Sequence, residues 1–196
     1  MSTIIWKELY SVELAEAIRS RRSVRKYKSD SIPEQTIKEL LELAAWAPSG
    51  MNTQPWLFVL VKGNEYLKDL SDRSRAFMLD QMEDVPALRN YRTMLSNPDF
   101  NIFYSAPVLV LIFGSQSAFT YINDCSMAAL NLMLAAWDRG IGSCWIGFAS
   151  GYCGTTAYMK ELNIPEGYEL VAPVILGYPA VPPGRVARKD IKIISR

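Results

Sequence analysis

The segment from Ile122 to Arg139 constrains the fold of this chain most. Met127, Leu130, Leu132, Met133 and Leu134 leave its helical pattern almost no polar face, and a helix that is apolar nearly all round must be covered on nearly every side. It therefore belongs at the centre of a domain or at a subunit interface. Gly140 and Gly142 end it. With 196 residues, 49% hydrophobic and 21% charged, the chain is long enough to bury such an element, and it reads as a single domain over 1–196. There is no repeat, low-complexity segment or linker.

The remaining elements follow from periodicity and turn chemistry. Ser11 reads as the N-cap of a helix running through Ala17 and Ile18, with Leu14, Ala15, Ala17 and Ile18 as its apolar face. Pro33, at the first position, opens a second helix along Ile37, Leu40, Leu41 and Ala44, which stops at Pro48. Pro48–Asn52 is a loop. Trp56–Val61 reads as a strand buried on both faces. Glu65 to Leu95 reads as two polar-faced helices broken near Pro86, whose Lys and Glu residues form a solvated face. Pro107–Phe113, Ser143–Phe148 and Tyr168–Leu176 are further strands, the last interrupted by Pro173, with a short helix around Tyr158–Leu162. Gly177–Arg196 is an extended tail. Strands and helices alternate without a regular βαβ period or a GxGxxG fingerprint. The expected class is α+β, a sheet flanked by helices.

The composition removes several functions. A formal net charge of +1 gives no basic face to select nucleic acid or an anionic membrane. The chain has no histidine, so Ser-His-Asp and Cys-His chemistry have no base. Cys125, Cys144 and Cys153 form no CxxC pair, which disfavours zinc. No run is long and apolar enough to span about 30 Å of hydrocarbon, and Met1–Tyr10 lacks the apolar stretch of a secretory signal. The expectation is a cytoplasmic protein with free thiols whose chemistry comes from a bound cofactor.

Two clusters carry that chemistry. In an extended run side chains alternate with period two, so Arg21, Ser23 and Arg25 point one way and suit a phosphate dianion. A solvated basic turn after a helix is the alternative. The loop Ala47–Trp56 holds Ser49, Gly50, Met51, Asn52 and Gln54, whose polar groups and close-approaching backbone suit the edge of a flat heterocycle. A plain helix-to-strand connection is its alternative.

RRSVRKY, APSGMNTQPW some twenty residues later, GIGSCWIGF after an apolar helix, and LGYP followed by Arg188-Lys189 together resemble the nitroreductase family of FMN proteins. Order and spacing match from about Val12 to Ile194, while 64–104 matches no family motif. The resemblance implies an α+β sandwich with a mostly antiparallel sheet, an intertwined homodimer, and FMN at the interface. By position, Arg21, Arg22 and Ser23 would meet the phosphate and ribityl chain, and Arg188 would close on the phosphate. Arg25 would lie at the pyrimidine edge, where a fixed cation stabilises the reduced anion. Ser49, Gly50, Met51 and Asn52 would come from the partner, with Gln54 nearby. Ile146 and Gly147 would pass beside the ring, where a backbone N–H could tune the hydride-accepting nitrogen.

The implied activity is a ping-pong oxidoreductase: NAD(P)H reduces FMN, then a nitroaromatic, quinone or similar small acceptor is reduced. A non-catalytic flavin storage or sensor protein is the alternative. Family members that dehalogenate iodotyrosine use a Glu-x-x-x-Tyr pair and a lid lysine. That spacing is missing from the middle segment, which disfavours dehalogenation. Cys144 reads as a small buried hydrophobe, with a redox role as its alternative. Tyr91, Phe100, Phe103 and Tyr104 line a substrate pocket or pack the core. Trp137 and Met133 read as core.

Overall fold

The computed structural model describes residues 13–184 and 186–195; the expected Ser11 cap lies outside them. In chain order the elements are α1 (Leu14–Ser20), α2 (Glu34–Ala44), β1 (Trp56–Lys62), α3 (Asn64–Asp80), α4 (Arg92–Leu95), β2 (Val108–Ser115), α5 (Tyr121–Asp138), β3 (Gly142–Trp145), α6 (Gly147–Cys153), α7 (Thr156–Glu161) and β4 (Tyr168–Gly177), with 3₁₀ turns at Gly50–Asn52 and Pro86–Tyr91. The sheet is four-stranded and antiparallel, in the order β1-β2-β4-β3.

Period-two alternation along β2 builds a core on both faces. Val108, Val110 and Ile112 pack with Ile37, Leu40, Ala129 and Leu132 of α2 and α5. Leu109, Leu111 and Phe113 pack with Leu67, Leu70, Ala149 and Cys153 of α3 and α6. The chain is thus an α+β sandwich of helices on both faces of one sheet. In β4 the alternation changes phase. Ile112 opposes Ala172 but Phe113 opposes Leu170, so Val171 is the extra residue of a bulge. Ala172, Val174 and Leu176 therefore face α2 and α5, whereas Leu170 faces the opposite side.

Several expectations change. β1 is only half-buried along Trp56–Val59, because it is the edge strand and lacks a neighbour on one side. Pro33 is the N-cap of α2 rather than its first residue. β4 runs through Pro173 without a break, and Ser143–Phe148 is not all strand: β3 stops at Trp145 and Phe148 lies in α6. Pro173 explains both. Its carbonyl accepts the Ile146 N–H at 2.8 Å, but proline has no N–H to return the bond. The β3–β4 ladder therefore ends there, beside the last strand residue, and the missing donor costs β4 nothing.

α5 resolves its own ambiguity. Cys125, Ala128, Ala129, Leu132 and Ala136 are buried against the sheet, while Ile122 and Leu130 are exposed on the outer side. Trp137 is partly buried and donates its indole N–H to Ser20 Oγ at 2.7 Å, tying α5 to the end of α1. On α1, only Ala17 of the expected apolar face is buried; Leu14 and Ile18 are exposed. No helix among the described residues is long and apolar enough to cross a membrane.

Candidate active site

From Arg21 the chain leaves α1 in extended conformation and runs beside β3. Val24 donates its N–H to Ser143 O at 3.0 Å, and Ser23 forms a parallel bridge with Ser143. Val24 is buried against Gly142, where a Cβ would stand 2.7 Å from Val24 Cγ2. Because Val24 turns inward, Ser23 and Arg25 turn outward and are exposed, as period two requires. Further on, Lys28 N–H bonds Tyr178 O and Ala180 N–H bonds Lys26 O, both at 2.9 Å. These bonds bring the start of the tail alongside.

This pairing forms a cavity of about 510 Å³ lined by Arg21, Arg22, Ser23, Arg25, Lys26 and Arg188. Burial pushes the Arg21 pKa down, and the neighbouring Arg188 and Arg22 charges push it further. Among the described residues no carboxylate forms an ion pair with Arg21, Arg22 or Arg188. Cations crowded together without an acid form a site for an anion. Arg22 stands apart in one respect: its Nη1 bonds the carbonyls of Arg19 and Arg21, each at 2.7 Å, which caps α1. Its Nε is buried without a partner.

Arg25 borders a second cleft of about 290 Å³, with Tyr91, Met94, Ile102, Tyr104, Cys144, Ile146, Gly147 and Phe148. The Arg25 guanidinium lies 5.9 Å from the centroid of the Tyr104 ring. Tyr91 and Phe148 meet edge to face at 5.2 Å. Of the aromatic set, Tyr91 and Tyr104 thus line the cleft, Phe103 is core, and Phe100 packs edge-on against Tyr104. Since the Ile146 N–H is taken by Pro173, the backbone donor open to a ligand on this segment is that of Gly147. An added Cβ at Gly147 would meet nothing within 4 Å.

Ser49–Gln54 lies elsewhere. It leads into β1 at one edge of the sheet, while Ser23 sits beside β3 at the other. Three interstrand spacings, roughly 14 Å, separate those edges. Asn52 and Gln54 border a separate cavity with Trp46, and Met51 is 97% exposed. The loop has a defined shape nonetheless. Met51, Asn52 and Gln54 have φ of 51°, 55° and 46°, and Ser49 Oγ accepts the Gln54 N–H at 3.0 Å. Sequence reasoning missed the residue that anchors it. Asp124, buried in α5, accepts the Gly50 N–H at 3.3 Å and the Thr120 hydroxyl at 3.0 Å. A carboxylate in the first turn of an otherwise apolar helix was the available signal.

Cys144 borders the second cleft but is buried, and burial raises its pKa against the opposing pull of Arg25, Ser23 and Arg21. That favours the small-hydrophobe reading. Burial pushes Cys125 and Cys153 up to about 12. A thiol whose folded pKa is raised keeps its proton in the native state after the unfolded chain has lost it. The stability it contributes is complete below the ordinary value of 9.0 and is lost as pH climbs from there towards 12. Each of the two thiols is expected to cost about 1.4 kcal/mol per pH unit across that window. Urea midpoints should fall between pH of about 8.5 and 10.5, and an unchanged midpoint would contradict this.

The nitroreductase family profile matches residues 18–178. A provisionally named NADH dehydrogenase/NAD(P)H nitroreductase of Archaeoglobus fulgidus is 35% identical over 170 residues, covering 85% of this chain and 86% of that protein. The crystal structure of a nitroreductase with bound FMN from Bacteroides fragilis superposes with a TM-score of 0.78 at 31% identity, covering 94% of this chain and 100% of that one. Iodotyrosine deiodinase 1 of Mus musculus is 28% identical over 187 residues, covering 87% of this chain and 63% of that protein. Family profile, relatives and fold agree: the chain belongs to the nitroreductase family.

Proposed function

We propose that this chain is an FMN-dependent NAD(P)H oxidoreductase working as a homodimer. In this reading the 510 Å³ cavity holds the FMN phosphate, and the cleft beside Arg25 takes donor and acceptor in turn. One observation carries it. Arg21, Arg22 and Arg188 converge with no carboxylate paired to them among the described residues, and Arg25 links that anion site to an aromatic cleft with open space at Gly147. A phosphate monoester joined to a flat ring fits both ends.

FMN, when bound, supplies the two-electron chemistry, which suits a chain without histidine. The residues then have separate tasks. Arg21, Ser23 and Arg188 hold the phosphate. Arg25, fixed over Tyr104, places positive charge where negative charge develops. Gly147 offers its N–H beside the ring, and Tyr91 and Phe148 exclude water from the cleft.

The dimer is needed to complete this site. Ser49, Gly50, Met51, Asn52 and Gln54 lie across the sheet from Arg25, so a second copy would bring them to the flavin. Trp46, Phe119, Ile122 and Leu130 are exposed on the same molecule, and in this reading the second copy covers apolar surface among them. Light scattering should give twice 22.1 kDa; tight FMN binding by a monomer would remove the shared-site reading.

The acceptor is a small planar molecule such as a nitroaromatic or quinone. Among the described residues no carboxylate lines the second cleft, which leaves an amino-acid substrate such as iodotyrosine without a group for its ammonium. Room beside Arg25 also favours turnover over mere flavin storage. Anaerobic addition of NADH or NADPH to the yellow protein should bleach its spectrum, and an acceptor should restore it. Failure with both donors would sink the donor assignment, and absence of turnover with every acceptor would favour storage.

A further inference from the structure

We propose that Ser71 and Arg75 are positioning residues that hold one wall of the second cleft and so set which acceptors enter. The inference rests on that cleft being the acceptor site. Four residues apart on α3, they share one helix face, and both are buried in spite of being polar. Arg75 Nη1 donates to Leu95 O at 3.1 Å and to Asn97 O at 2.8 Å. Its Nη2 donates to Asp72 Oδ1 at 2.7 Å and reaches Pro98 O at 3.4 Å. Ser71 Oγ accepts the Ile102 N–H at 3.0 Å. One helix face thus grips the backbone from Leu95 to Ile102 at both ends.

The gripped stretch is flanked by Met94 and ends at Ile102, and both side chains line the cleft. Its own hydrogen bonds are short-range: Asn97 N–H bonds Met94 O at 3.2 Å and Phe100 N–H bonds Asn97 O at 3.1 Å. α4 is four residues long, and 96–101 contains only turns and irregular chain. The short-range bonds shape its turns, and the polar ties that place it against α3 come from Arg75 and Ser71. Arginine suits the task because its planar fork reaches several carbonyls at once, which a lysine ammonium cannot do in one plane. Burying a guanidinium also costs desolvation that an apolar residue would avoid, so packing alone does not account for it. Tyr91, on the near side of α4, completes the wall against Phe148.

The test uses FMN-loaded protein carrying Arg75→Met, Arg75→Lys or Ser71→Ala. Amide hydrogen exchange is followed over 94–102 and over α3, and KM is measured for nitrobenzene and the bulkier menadione. Arg75→Met should speed exchange over 94–102 and raise the nitrobenzene KM about tenfold, as expected when a wall shifts by an ångström or less. The menadione KM should rise less, while FMN affinity stays within about twofold. Lysine should restore part of the effect, and Ser71→Ala should move the same quantities less. Faster exchange with unchanged KM values would overturn the proposal, as would equal changes in FMN affinity and KM. If Arg75→Met does not fold, the other two variants decide by the same criteria. A wild-type protein that turns over no acceptor would instead refute the cleft assignment, and exchange over 94–102 would still decide the clamp.

Discussion

Replacing Arg21 and Arg188 together by alanine is expected to weaken FMN binding by about a hundredfold to ten-thousandfold. Hydrogen bonds to a charged group contribute about 1.5–3 kcal/mol each, and every 1.4 kcal/mol is about a factor of ten. The two guanidinium groups line one cavity and act on each other, so the single variants should not sum to the double one. Arg22→Ala should cost less, because its Nη1 is already engaged by two backbone carbonyls. The apoprotein should respond in the opposite sense. Burial first, and then the Arg188 and Arg22 charges, disfavour charged Arg21 in the fold; removing it relieves that repulsion. Urea midpoints without FMN should therefore hold or rise, while the gain from added FMN shrinks. Flavin fluorescence titration measures the first effect, and added salt should weaken wild-type binding more than binding by the variant. A dissociation constant within about threefold of wild type would refute the phosphate site.

The second large effect is expected at Gly142, which carries no side chain of its own. An alanine Cβ there would stand 2.7 Å from Val24 Cγ2, 2.9 Å from its Cβ and 3.0 Å from its Cγ1. These atoms sit at the root of a short branched side chain, so the whole segment has to move. Overpacking of this kind costs about 1–3 kcal/mol. The displaced segment carries Ser23 and Arg25, and its 3.0 Å bond to Ser143 O is what sets their direction. Gly142→Ala should lower both the thermal midpoint and the FMN affinity, the latter by about tenfold or more. Adding Val24→Ala empties the space the new methyl needs and should recover most of the flavin binding. If the double variant binds no better than Gly142→Ala alone, docking of Val24 on Gly142 does not position the site.

Much of this molecule was legible from local pattern. The apolar runs in β2 and β4, the amphipathic α2 and the nearly all-apolar α5 follow from periodicity, because one face of each element must be buried. The alternation of Arg21, Ser23 and Arg25 around an inward Val24 was likewise readable, since an extended chain has period two wherever it lies. The family and its flavin could be recognised from motifs spaced along nearly the whole chain. Local pattern was silent wherever the outcome depended on a distant partner. Pro173 in β4 ends β3, some thirty positions earlier, because it cannot return the hydrogen bond from Ile146. Val171 bulges because of its register with β2. Asp124 holds Gly50 across 74 positions, and Arg75 grips carbonyls twenty or more residues away. The same holds for the basic segment that suggested a phosphate site. Two arginines and a serine on one face were a candidate. What the tertiary structure adds is the pairing of 26–28 with 178–180, which brings Arg188 into one cavity with Arg21, and among the described residues no acid forms an ion pair with either.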